Sequence, residues 1–303
     1  MSKQLWGIDL GGTKIEGVVL QSKDNPVVLI RKRIATEAEQ GYEHTLNRIK
    51  LLVDTLIAEI GERPKVIGIG TPGKIDTTTG LMKNSNSQAL NDRTFKLDLE
   101  QLLGIPLIVA NDANCFALAE TKMGAVPEAD LNAKVVFGVI MGTGAGGGVV
   151  VNGKVIHGKH GIGGEWGHNF LDESGGICYC GKSGCVEKVI AGPALEKFYA
   201  EISGEPKGLR EIIALARQGT DAYAVATLER LIQFFGQALS VVINIIDPDV
   251  IVLGGGVGNI NELYSLGVAE VEKHIFNDKL ETKIIRPKLG DSAGVFGAAF
   301  LSV

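Results

Sequence analysis

The sequence predicts an α/β protein built as two similar lobes. Three observations point there. A strand, a glycine turn and a second strand occur twice; short apolar runs of buried-strand type are interleaved with amphipathic helix; and 303 residues at 45% apolar content are enough to fill two cores. Aligned without gaps, Trp6–Leu20 matches Phe137–Val151: Gly7 meets Gly138, Gly11 meets Gly142, Gly17 meets Gly148, and Val18-Val19 meet Val149-Val150. Gly-rich apolar hairpins resemble one another by chance, but this register also pairs aromatic Trp6 with Phe137 and reads as an internal duplication.

Each element has its own signal. Leu5–Leu10 and Ile15–Leu20 read as strands around a Gly11-Gly12 turn, and Val27–Ile34 as a third strand. Leu46, Ile49, Val53, Leu56 and Ile60 recur at steps of three and four, one helical stripe, ended by Gly61 and Pro64. Val66–Gly70 and Leu107–Ala110 are short buried-strand runs. In the second half a helix is expected from about Asp221 to Asn244, stopped before Pro248. A strand Val250–Leu253 then meets the run Gly254–Gly256, and Gly290–Leu301 reads as turn then helix. The expected boundaries are 1–118 for the N-terminal lobe, with 290–303 packing back on it, and 119–289 for the C-terminal lobe. No low-complexity linker separates them, so a hinge is expected rather than a tether.

Composition excludes several classes. A net charge of -5 with scattered basic residues suits neither nucleic acid nor anionic lipid. No signal-peptide pattern opens the sequence, and no uncharged apolar stretch reaches the roughly 18 residues of a membrane span. A soluble, cytoplasmic protein is the expectation. Three of the four cysteines (Cys178, Cys180 and Cys185, but not Cys115) fall within eight residues, which favours a metal over disulfides.

Four constellations carry chemistry. Asp9-Leu-Gly-Gly-Thr-Lys14 follows a strand: its glycines admit a phosphate, Thr13 adds a donor, and Asp9 can hold magnesium or its waters. Gly142-Thr143-Gly144 begins the partner turn, whose backbone N–H groups can also face an anion. Neither is a Walker A loop. Asn111-Asp112 ends a strand; Asp112 is a candidate base for an alcohol, and reads equally as the N-cap of helix 113–119. Finally, Glu165-Trp-Gly-His168 precedes Cys178-x-Cys180-x4-Cys185. One His and three Cys complete a tetrahedral set for structural zinc, with no position left for catalysis.

Together, D-L-G-G-T-K, N-D-A-N, G-T-G-x-G-G-G, E-W-G-H and C-x-C-G-x-x-G-C-x-E closely resemble the ROK family of sugar kinases and sugar-responsive repressors, from Asp9 to Phe300. The resemblance implies an actin/hexokinase-like (ribonuclease H-like) duplicated fold with sugar and ATP in the interlobe cleft. It implies Asp112 as base for the 6-hydroxyl of a hexose, and Asn111, Glu165, His168 and Glu187 as sugar ligands, His168 also binding zinc through its other ring nitrogen. Asp9, Gly11, Gly12, Thr13, Lys14, Gly142, Thr143 and Gly144 are implied on the ATP phosphates with magnesium, and Gly255 and Gly256 on the adenosine side. Repressors of the family carry a winged helix ahead of the first turn; Asp9 lies nine residues from the start, which favours a kinase over a sugar-sensing regulator. The stretch Lys83–Leu90, with E-W-G-H-N and N-I-I-D-P-D-V-I-V-L-G-G-G, is most similar to the fructokinase/mannokinase branch, pointing to a fructose-, mannose- or glucose-type hexose. The alternative is an N-acetylglucosamine or N-acetylmannosamine kinase. The family implies homodimers or homotetramers.

Overall fold

The opening strand, β1 (Leu5–Leu10), is buried along almost its whole length, as a nearly continuous apolar run requires. The computed structural model describes residues 4–85 and 87–303; Met1–Lys3, and Asn86 within the Lys83–Leu90 stretch, lie outside the described residues. The chain continues through β2 (Lys14–Leu20), β3 (Val28–Ala35), α1 (Tyr42–Ile60), β4 (Ile67–Thr71), the short β5 (Lys74–Ile75) and β6 (Met82–Lys83), α2 (Phe95–Leu103), β7 (Leu107–Asn111), α3 (Asp112–Lys122) and α4 (Val126–Ala129). Then come β8 (Val135–Met141), β9 (Ala145–Val151), β10 (Lys154–Val155), α5 (Val186–Ile190), α6 (Gly192–Ser203), α7 (Leu209–Gln218), α8 (Ala222–Ile246), β11 (Val250–Gly254), α9 (Gly255–Gly258), α10 (Leu266–Glu272), β12 (Lys283–Ile285) and α11 (Ala293–Phe300).

The duplication is visible in the sheets. One has the order β3-β2-β1-β4-β7 and the other β10-β9-β8-β11-β12. In both, the Gly-turn hairpin continues into a parallel neighbour: β1 beside β4 and β8 beside β11.

The chain divides into two units. The first comprises Met1–Pro127, Gly148–Gly163 and Lys288–Val303; the second comprises Glu128–Gly147 and Gly164–Pro287. Boundaries drawn on sequence at 118/119 and 289/290 contain no counterpart of Gly148–Gly163, because that grouping is made by packing: a Cβ on Gly148 would lie 2.6 Å from the Ala113 carbonyl oxygen.

In the first unit the α1 stripe Leu46, Ile49, Val53 and Leu56 is buried, and Gly61 closes the helix at φ 75° by donating to Ile57. Helix α11 packs on β1, β4 and α3. It lies almost directly on backbone: a Cβ on Gly68 would come within 1.8 Å of the Ala298 carbonyl oxygen.

The second unit is organised on α8. Asp221 caps it, accepting from the Tyr223 and Ala224 N–H groups at 2.8 and 3.1 Å. Among the described residues, α8 is the helix long and apolar enough to cross a membrane. However, Leu231, Phe235 and Leu239 are fully buried, and the helix packs on α6, α7 and α10, which marks it as the unit's core helix.

Candidate active site and metal centre

In the first unit three parallel strands end side by side. Register sets Asp9 of β1 opposite Gly70 of β4, and Gly70 opposite Ala110 of β7. Asn111 and Asp112 follow at once, so both acids lie near one edge of the sheet, where ligand-binding groups of α/β proteins collect. The structure separates the two readings of Asp112. Asn111 is the N-cap, its Oδ1 accepting from the Asn114 N–H at 2.9 Å, while Asp112 is the first residue of α3 and its carboxylate accepts from the adjacent Ala113 N–H at 2.8 Å. Asp112 is therefore not required for capping. Its side chain reaches solvent, yet the density of protein around it holds its carboxyl above the usual carboxylate range.

Asp9 is pushed up to about 6, first by burial and then by the charges of Asp112 and Glu16. Glycines make room for it: a Cβ on Gly294 would lie 2.7 Å from its carboxylate. Two acids crowded in this way favour either a shared proton or a cation. Cys115, the cysteine outside the metal loop, is fully buried beside them. The adjoining turn is closed by the Gly11 N–H donating to Lys14 (2.9 Å) and the Thr36 hydroxyl donating to Gly11 (2.7 Å). Gly12 and Thr13 are left exposed at its tip.

In the second unit the turn Gly142–Gly144 is closed by the Gly142 N–H donating to Gly144 at 2.9 Å, and Thr143 is exposed. Because β11 runs beside β8, the glycines that follow it come to this turn; a Cβ on Gly142 would lie 3.8 Å from the Gly256 nitrogen. Gly255 must be glycine, since its φ is 81° and a Cβ would meet the Met141 carbonyl oxygen at 2.2 Å.

The Glu165–His168 turn is fastened to β9 by Trp166. Its indole N–H donates to the Gly146 carbonyl at 2.9 Å, and its ring meets Phe137 edge-on with centroids 6.0 Å apart. Glu187, on α5, also reaches this strand end: its Oε2 accepts from the Ala145 N–H at 3.1 Å. The Glu165–His168 turn and Glu187, on separate stretches of the chain, thus both meet the start of β9. The position of Glu187 against the glycine turn was not expected from the sequence.

His168, Cys178, Cys180 and Cys185 form one cluster, with their ligand atoms all within 4.8 Å of one another. Cys178 Sγ lies 3.7 Å from His168 Nδ1, and Cys180 Sγ lies 3.6 Å from Cys185 Sγ. A tetrahedral ion with metal–sulfur bonds of about 2.3 Å spaces its donors by about 3.8 Å, so the set fits such an ion. The Lys182 N–H holds the Cys180 thiol below its ordinary value, whereas burial raises Cys185. A divalent ion would deprotonate both. The other ring nitrogen of His168 is also engaged: Nε2 lies 3.0 Å from the Tyr179 hydroxyl, with the two rings edge-on at 5.2 Å and 90°. Burial, then the charge of Glu187, pushes that phenol up to about 12. Sequence reasoning passed over Tyr179. The available signal was its place between two cysteines of a candidate metal loop.

The chain is 36% identical to an N-acetyl-D-glucosamine kinase of Aliivibrio salmonicida, over 98% of this chain and 99% of that one. It is 35% identical to an N-acetyl-D-glucosamine kinase of Haemophilus influenzae, over 98% of each. Among solved structures it resembles a ROK hexokinase from Thermus thermophilus (34% identity, TM-score 0.87, covering 98% and 97% of the two chains). It also resembles a ROK family glucokinase from Streptomyces griseus crystallised with glucose and AMPPNP (27% identity, TM-score 0.74, 98% of each). The fold is accordingly the mixed α/β, actin/hexokinase-like one. The ROK family profile matches residues 5–303, and the chain belongs to the ROK family.

Proposed function

We propose that the sugar phosphorylated by this ATP-dependent kinase is an N-acetylated hexosamine, N-acetyl-D-glucosamine first. The observation that carries this is the full-length similarity to N-acetyl-D-glucosamine kinases, at 36% identity over 98% of this chain. It favours the amino-sugar alternative over the fructose-, mannose- or glucose-type hexose suggested by the sequence motifs. The likeness to a ROK hexokinase at 34% identity keeps glucose as the second reading.

Asn111, Glu165, His168 and Glu187 are the proposed sugar ligands, a set of amide, acids and imidazole suited to a polyhydroxylated molecule. Gly11, Gly12, Thr13, Lys14, Gly142, Thr143 and Gly144 are the proposed phosphate contacts, with Gly255 and Gly256 toward the adenosine. Asp9, crowded by Asp112, has the environment of a group that awaits magnesium. Asp112 takes the proton from the 6-hydroxyl as the sugar oxygen bonds to the γ-phosphorus and the bond to the ADP oxygen breaks. The metal of the Cys3His cluster is proposed to be zinc in a structural role, fixing the loop between His168 and Glu187. The enzyme is read as soluble, cytoplasmic and dimeric or tetrameric.

A coupled assay of ADP release over N-acetyl-D-glucosamine, N-acetyl-D-mannosamine, glucose, mannose and fructose tests the substrate. N-acetyl-D-glucosamine should give the highest kcat/KM. A tenfold preference for any unacetylated hexose overturns the amino-sugar reading. Metal analysis of freshly purified protein should find one zinc per chain; none would remove the structural-zinc assignment.

A further inference from the structure

The segment 171–176 leads from His168 to the cysteines of the metal loop and carries no metal ligand itself. It is nonetheless fastened on two sides. On one side it pairs with Gly184: the Leu171 and Asp172 N–H groups donate to the Gly184 carbonyl at 2.7 and 3.2 Å, and the Gly184 N–H donates to the Gly176 carbonyl at 2.9 Å. Gly175 is buried against α5, where a Cβ would lie 3.0 Å from Val189 Cγ2 and 3.1 Å from Lys188 Cβ. Cys185 follows Gly184 directly, and Glu187 is two residues further. Whatever fixes 171–176 therefore also fixes a cluster cysteine and a proposed sugar ligand, through backbone contacts.

On the other side stands Arg230 of the core helix α8. Its guanidinium lies over the rings of Phe198, on α6, and Phe234, 4.6 and 4.7 Å from their centroids. Nη2 donates to Ser174 Oγ at 2.6 Å, while Nε is buried with no hydrogen-bond partner among the described residues. Ser174 spends its own hydroxyl proton on Asp172 Oδ1, which also accepts from the Ser174 N–H at 2.9 Å. The serine oxygen is thus oriented to accept from Arg230. A guanidinium usually takes a carboxylate with its whole fork. This one gives up solvation to reach a single hydroxyl, and the two rings fix the direction in which it points.

We infer that Arg230 is a positioning residue for sugar binding: by clamping Ser174 to α8 it holds the segment that carries Cys185 and Glu187. The inference rests on the reading of Glu187 as a sugar ligand.

The test is Ser174→Ala, an exposed position at which only the acceptor is lost. Ser174→Thr, Arg230→Gln and the Arg230→Gln, Ser174→Ala double variant stand beside it. Steady-state kinetics with N-acetyl-D-glucosamine at saturating ATP give sugar KM and kcat, and mass spectrometry follows amide exchange over 171–187 in the ligand-free protein. Ser174→Ala should raise sugar KM about 3- to 10-fold with kcat within about twofold, and speed exchange over 171–187 about fivefold or more. Ser174→Thr should restore both, and the double variant should be no worse than Arg230→Gln, since both changes break one contact. An unchanged sugar KM in Ser174→Ala, a fall in kcat as large as the rise in KM, failure of Ser174→Thr to restore, or multiplying effects in the double variant each overturns the inference. Glu187→Gln separates it from the underlying reading. If Glu187→Gln raises sugar KM and Ser174→Ala does not, the clamp alone is wrongly assigned; if neither does, the sugar site is wrong and the inference falls with it.

Discussion

The hairpin at Gly11 and the hairpin at Gly142 share one backbone plan but obtain their acid differently. In the first, Asp9 is the penultimate residue of β1. The aligned residue of β8 is Ile140, and the acid, Glu187, comes from α5, across a turn of chain that also carries the metal cluster. An acid built into a strand is buried with its sheet, and Asp9 is correspondingly hard to ionise. An acid delivered by a helix can instead meet a backbone N–H, as Glu187 meets Ala145. The duplicated hairpin thus supplies a crowded acid suited to a cation on one side and a tether between turn and metal loop on the other.

The sharpest test of this division asks whether chemistry belongs to the first unit. Asp112→Asn should lower kcat by about 10²–10⁴ while leaving the sugar Kd within about threefold, measured by steady-state kinetics and calorimetry. Near-normal turnover would remove Asp112 as the base.

The second concerns the backbone beside the Gly142 turn. Gly255→Ala forces a Cβ against Met141 at positive φ and should cost roughly 2–4 kcal/mol in urea unfolding. Gly256→Ala is the control, because its Cβ would meet nothing within 4 Å and its change should stay within about 1 kcal/mol. Equal effects would mean that the close approach at Gly255 is unimportant.

The third addresses the built-in acid. Asp9 rises from 3.8 to about 6 on folding, so ionising it opposes folding; the cost is complete above pH 6 and vanishes below pH 3.8. Without magnesium, Asp9→Asn should therefore stabilise the fold at pH 7.5 by roughly 1–3 kcal/mol, and the gain should fade between pH 6 and pH 4. A gain that is independent of pH would remove the crowding argument.

The smallest effect is expected at the delivered acid. Glu187→Gln weakens the bond from Ala145 and should cost roughly 0.5–1.5 kcal/mol. If the tether matters, the KM values for ATP and sugar should rise together; a rise in sugar KM alone would confine Glu187 to sugar binding.

Much of this was legible in the linear chain because its signals are local. The glycine turns, the α1 stripe ending at Gly61, and the spacing of Cys178, Cys180 and Cys185 are each set within a few residues. The choice between Asn111 and Asp112 as helix cap was not legible. Both are good caps, and only the φ, ψ of the strand end decides which side chain reaches the Asn114 N–H. Tyr179 was missed for a similar reason: its identity says nothing until the loop folds and Nε2 of His168 turns to it.

By itself the sequence determined two glycine hairpins, a Cys3His set and an acid at each of two strand ends, because backbone conformation and ligand chemistry depend on neighbours along the chain. Tertiary structure alone decided that Asp9 and Asp112 share one sheet edge and that Glu187 reaches Ala145. It alone also brought Gly148–Gly163 to the first unit. Those outcomes depend on strand register and helix packing between residues distant in sequence, where one step of register would turn each side chain to the opposite face.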